Sequence, residues 1–282
     1  MMRWKPVTDL RKTFRIRWAS AGALLLATWL LPAASQGGRG ADGDFEKRTS
    51  SHFILYQDVD IDQSGGLRGS RRFEQQVLDE LERAYDRLDV FLGLRPVRKL
   101  DVVVYDAGVF DATYASRFGF RPAGFYNGVI HVRAGTVLST DLARVLNHEL
   151  VHAAFRASAP SLLLPAWFNE GVAEWFEARS LSKRRLSGGE LNYLSRARHQ
   201  GALLPLQSLS HPSFGRMDQN SATLAYLQSY GMIEYLARRH GDRSVKELCE
   251  RVVESGDLER SLQRTYRFGA FELESRFVAD LG

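Results

Sequence analysis

Five consecutive residues, His148-Glu149-Leu150-Val151-His152, constrain this chain more than any others. Residues four apart on an α-helix advance by about 400°, so both imidazoles leave nearly the same face, and Glu149 sits about 100° round from His148. Leu142, Val145, Leu146, Leu150, Val151 and Phe155 make the surrounding segment apolar, which predicts a buried helix. Two histidines and a carboxylate inside a protein need partners, because burying polar groups without them is costly. One divalent ion held by both imidazoles supplies them, with Glu149 beside it to act on a water rather than as a ligand. A hydrogen-bonded pair of structural histidines is the plainer alternative.

A catalytic zinc ion generally takes three protein ligands and keeps one position for water. The third is suggested by the segment Leu164-Pro165-Ala166-Trp167-Phe168-Asn169-Glu170-Gly171-Val172-Ala173-Glu174. Here the chain resembles the gluzincin metallopeptidases, most closely the small bacterial proteins with a peptidase MA-like domain. In these, an H-E-x-x-H helix is followed by a second helix bearing N-E-G-x-A. The resemblance runs from about His52 to the C-terminus. It implies a zincin-like (thermolysin-like) two-lobed fold, one Zn2+ ion, and His148, His152 and Glu170 as its ligands. Seventeen residues separate Glu170 from His152, one fewer than is usual in the aminopeptidase branch. Glu174, one turn after Glu170, is implied as the acid that buttresses His148, since a metal-bound imidazole donates its other N–H to such a partner. Gly171 is expected to let the two helices approach closely.

The same resemblance extends to two flanking segments. The hairpin at residues 124–133 matches the edge strand along which such enzymes lay an extended peptide or protein substrate. His131 within it reads as structural first and as a substrate contact second. The segment Ala225-Tyr226-Leu227-Gln228-Ser229-Tyr230 resembles the helix that faces the metal from the second lobe. It offers Tyr226, with Tyr230 behind it, as donor to the developing oxyanion, although either ring could equally be a core aromatic.

Charge does not point elsewhere. The net charge of +5 suggests nucleic acid, but six of the 38 basic residues and one of the 33 acidic residues lie in the first 35 positions, leaving 32 of each. A near-neutral remainder removes the electrostatic argument for nucleic-acid binding. Those first 35 residues read as an export signal: a basic stretch, an apolar run at 18–31, then Pro32-Ala33-Ala34-Ser35 with cleavage before Gln36. The run is shorter than the roughly 20 residues of a membrane span. An uncleaved anchor is the alternative, and the only membrane attachment the sequence suggests. Either way the folded part is expected outside the cytoplasm, in the periplasm or beyond the cell. The single cysteine, Cys249, excludes an intramolecular disulfide and a thiolate cluster, and it falls on an apolar helix face.

Along the chain, residues 36–45 read as a linker and 46–282 as the catalytic domain, with an N-terminal lobe to about 157 and a C-terminal lobe after it. Strands are expected at 52–56 and 100–105, an amphipathic helix at 71–92 after a glycine-rich loop, and a tight hairpin about Asn127-Gly128. Helices follow: one capped by Ser139 or Thr140, one opened by Pro165, and others at 222–240, 244–254 and from 258. Residues 180–207 are expected to form loops. Strands first and helices afterwards describe an α+β protein. Asp58, Asp60 and Asp62 lack the glycine and glutamate of a calcium loop, so they read as a solvated acidic turn.

The function expected is zinc-dependent peptide hydrolysis with Glu149 as general base. No glycine-rich exopeptidase signature precedes the metal helix, which favours endopeptidase action. Two alternatives stand beside it: a catalytically idle metal-binding domain that recognises peptide or cell-envelope partners, and a zinc amidase acting on a non-peptide substrate.

Overall fold

The computed structural model describes residues 45–59 and 67–282. The leader at 1–35, the linker apart from Phe45, and Asp60 and Asp62 of the acidic turn lie outside the described residues. The fold is α+β, with one mixed five-stranded sheet followed by helices.

Strand β1 (Glu46–Thr49) pairs antiparallel with β2 (Phe53–Asp58). Helix α1 (Leu67–Leu92) then crosses to β3 (Leu100–Asp106), which runs parallel to β2 in the register Phe53↔Leu100. Helix α2 (Ala107–Tyr114) and a 3-10 turn (Ala115–Arg117) lead to β4 (Gly124–Tyr126) and β5 (Ile130–Ala134). The order across the sheet is β1-β2-β3-β5-β4, so β5 is inserted parallel to β3, and β4 and β1 are left as the two edge strands. Tyr126 pairs with Ile130, so the hairpin loop has three residues, and Gly128 in it adopts φ +109°, a conformation that suits glycine.

Alternation along the strands sends Val102, Val104, Ile130 and Val132 to one face, where they are fully buried. That face is covered by the stripe Phe73, Val77, Leu81, Leu88 and Leu92 of α1, and by α3 (Thr140–Ser158). The other face carries a smaller cluster of Tyr105, Phe110 and Phe125 under α2, whose first turn is capped by the Asp106 carboxylate.

The remainder is helical: α4 (Ala166–Ser180), α5 (Gly188–His199), the single turn α6 (Leu206–Leu209), α7 (Gln219–His240), α8 (Asp242–Ser255), α9 (Leu258–Tyr266) and α10 (Ala270–Asp280). One apolar core continues from Phe53 and Leu55 in the sheet through Val151, Phe168 and Trp175 to Ile233 and Phe277. Cys249 lies in this core on α8. Among the described residues, no helix is long and apolar enough to cross a membrane.

Three local expectations are corrected. Helix α1 begins at Leu67, inside the segment read as a glycine-rich loop. Residues 180–207 include α5, started by a capping box in which Ser187 Oγ accepts from the Glu190 amide and the Glu190 carboxylate accepts from the Ser187 amide. Gly171 serves α7 rather than α3: a Cβ there would stand 2.6 Å from the Ser229 carbonyl oxygen and 2.9 Å from Ile233 Cγ1. The missing side chain therefore sets the distance between α4 and α7.

Candidate metal centre

Helix α3 begins where Ser139 Oγ accepts a hydrogen bond from the Leu142 amide at 3.1 Å. Its buried residues are Leu142, Ala143 and the whole run from Val145 to Phe155, with Val145, Leu146, Leu150 and Val151 filling the core around His148 and His152. Val145 also seats the helix against the sheet, because a Cβ on Gly124 would stand 2.6 Å from Val145 Cγ1. The backbone of β4 thus lies directly on α3. Pro165 precedes α4 in an extended conformation, where its fixed φ suits a helix start.

The two helices bring the sequence-derived residues together. His148 Nε2 lies 3.2 Å from Glu170 Oε2, and His152 Nε2 lies 3.5 Å from the same oxygen. The imidazole centroids are 5.0 Å apart. All three side chains are at most 2% exposed, and their ligand atoms lie within 4.8 Å of one another. Glu149 is fully buried beside them, and among the described residues neither of its carboxylate oxygens has a hydrogen-bond partner. Neither ring nitrogen of His152 has one either. Buried polar atoms are rarely left so, and a cation at this point would engage both imidazoles.

Electrostatics agree. Burial pushes the Glu149 carboxyl up to about 7, against the pull of His152 and His148. Burial acts to lower the His148 pKa, but hydrogen bonding to Glu170 and the nearby carboxylates of Glu177, Glu174 and Glu149 carry it well above the ordinary histidine value. Burial acts to raise Glu170, and the two histidines hold it below the usual carboxylate range. The cluster is rich in carboxylates and calls for positive charge.

Glu174 Oε1 stands 3.8 Å from His148 Nδ1, on the side of the ring away from Glu170. Sequence reasoning missed Glu177, whose Oε2 lies closer to the same nitrogen, at 3.6 Å. The signal is present in the chain, because Glu170, Glu174 and Glu177 are spaced i, i+4, i+7 along one stripe. His148, Glu174 and Glu177 form a second group able to hold a metal, but the Glu177 carboxylate already has a cation in Arg144, whose Nε donates to Glu177 Oε1 at 2.5 Å.

Tyr226 projects from α7 with its ring centroid 6.4 Å from that of His148, packed edge-on against Phe214 and Phe120. Tyr230, one turn later, lies under Lys183 Nζ, 4.9 Å from its ring. His131 belongs to β5 and to the other face of the sheet, stacked on Phe125 with ring centroids 4.7 Å apart. It takes a hydrogen bond from Tyr105 Oη and donates to Asn127 Oδ1, a structural role.

A search of curated proteins finds no match to the chain. The family model Peptidase_MA_2, described as peptidase MA superfamily, matches residues 88–281, a span that includes α3, α4 and α7 with every residue of the cluster. The chain belongs to the peptidase MA superfamily.

Proposed function

We propose that the protein is an exported, gluzincin-type zinc peptidase that hydrolyses peptide bonds, with endopeptidase action. The observation that carries this reading is the convergence of His148 Nε2 and His152 Nε2 on Glu170 Oε2, at 3.2 and 3.5 Å. Ligand atoms about 2.0–2.1 Å from a tetrahedral zinc ion stand about 3.3 Å from one another, so this donor set suits one Zn2+ ion. Zinc, when bound, supplies Lewis acidity toward a carbonyl oxygen and toward water.

The chain's own residues supply the rest. Glu149 accepts a proton from the attacking water and delivers it to the leaving nitrogen, a role suited to a carboxylate whose oxygens have no competing partner among the described residues. Tyr226 donates to the oxyanion as negative charge develops. The edge strand β4, seated on α3, offers backbone groups to an extended substrate. Export rests on the leader at residues 1–35.

The test is elemental analysis of the purified mature domain, with His148→Ala as control, followed by digestion of a broad peptide library by wild type and Glu149→Gln. One zinc per chain, lost in the control, and cleavage abolished by Glu149→Gln are expected. Zinc-free wild type, or equal behaviour of wild type and Glu149→Gln, overturns the proposal. Cell-wall fragments screened beside casein separate a non-peptide amidase.

A further inference from the structure

Resting on the metal-site reading above, we infer that Arg144 is a positioning residue for His148, acting through Glu177. Arg144 precedes His148 by one helical turn on α3, so the two side chains leave the same face. The guanidinium Nε donates to Glu177 Oε1 at 2.5 Å, and the other oxygen of that carboxylate lies 3.6 Å from His148 Nδ1. The contacts form a closed circuit: out from α3 to α4 through Arg144, and back to α3 through His148.

Two effects give the circuit its role. The first is tautomeric. An imidazole that offers Nε2 to a metal carries its proton on Nδ1, and a carboxylate accepting from that N–H fixes the ring plane and raises its basicity. Glu174 is also near Nδ1, at 3.8 Å, but Glu177 is nearer and is itself held by the guanidinium.

The second is charge. Glu149, Glu170, Glu174 and Glu177 are all buried around two imidazoles. Glu177 is 4% exposed, and a buried carboxylate deprived of its partner is strongly unfavourable. Arg144, with its side chain only 21% exposed, supplies that partner to Glu177. Without it, Glu177 has reason to turn toward solvent, and His148 Nδ1, which has no hydrogen-bond partner among the described residues, loses the carboxylate nearest to it.

The experiment measures zinc affinity by chelator competition for wild type, Arg144→Met, Arg144→Lys, Glu177→Gln and the double variant Arg144→Met/Glu177→Gln, with the cobalt-substituted absorption spectrum as a second readout. Arg144→Met and Glu177→Gln are each expected to weaken zinc binding about 10–100-fold. Arg144→Lys, which keeps the charge, loses less. The double variant binds no more weakly than the weaker single variant, because both changes break one circuit. Cobalt spectra shift in both single variants.

Folded Arg144→Met that binds zinc as tightly as wild type overturns the inference, as does a double variant showing the sum of two independent losses. If Arg144→Met does not fold, Arg144→Lys must still weaken binding less than Glu177→Gln, and the opposite order overturns it. Wild type that binds no zinc overturns the metal-site reading itself, a result distinct from all of these.

Discussion

Gly171 and Ser229 meet so closely that a Cβ on the glycine would stand 2.6 Å from the Ser229 carbonyl oxygen. Gly171 directly follows Glu170, so the spacing of α4 from α7 is set beside a candidate ligand. Alanine would add about 1 kcal/mol of helix propensity, but the clash is with backbone, and overpacking typically costs about 1–3 kcal/mol. Gly171→Ala is therefore expected to lower the urea midpoint and to weaken zinc binding. An unchanged midpoint would show that α7 yields freely.

Tyr226 and Tyr230 can be separated. The Tyr226 ring faces His148, whereas Tyr230 is engaged beneath Lys183. Tyr226→Phe is expected to lower kcat about 10²-fold, the effect of losing one oxyanion donor, while zinc content stays at one per chain. Tyr230→Phe should leave kcat nearly unchanged. Equal kinetics for the two variants would remove Tyr226 from the mechanism.

Metal removal should show in stability. An ion present at about a thousandfold excess over its dissociation constant stabilises a folded protein by about 4 kcal/mol. For a chain of this size that corresponds to a Tm lowered by roughly 8–16 °C on chelation. His152→Ala, lacking a proposed ligand, should show little response to chelator in the same calorimetric scan.

Acid should act through His131. Burial, with a smaller contribution from the Arg117 charge, lowers its pKa from 6.5 to about 4. The hydrogen bonds agree with a neutral ring, with Nδ1 accepting from Tyr105 and Nε2–H donating to Asn127. The unfolded chain takes up this proton near pH 6.5 and the folded chain only near 4. The stabilising contribution is therefore complete above 6.5 and is lost as pH falls from 6.5 toward 4. At about 1.4 kcal/mol per pKa unit, the loss reaches about 3 kcal/mol. Unfolding of metal-free wild type and His131→Phe in urea at about pH 7 and about pH 4.5 checks it: the variant should show the smaller difference.

The parts of this molecule legible in the sequence are those fixed by short-range chemistry. Helix α3 is readable from its apolar residues and its Ser139 cap, and the pairing of His148 with His152 from a spacing of four. Glu170 is not reachable by periodicity alone, since it lies on another helix, and only the resemblance carries it. Strand β1 escapes because Glu46-Lys47-Arg48-Thr49 is a polar edge without alternation. Helix α5 escapes although Ser187 and Glu190 spell its capping box. The insertion of β5 between β3 and β4 depends on contacts remote in sequence, which no local pattern records. Arg144 and Glu177 are each visible on their own helix stripe, but the meeting of the two stripes is not.

The unbroken burial of residues 145–155 in α3 has a consequence for interpreting inactive variants. A substitution at Leu146, Leu150 or Val151 changes the bed on which the neighbouring imidazoles rest, so interior packing and chemistry share one address. A mutational scan of this chain should place its most damaging positions in a continuous band through that helix, with apolar and reactive side chains side by side.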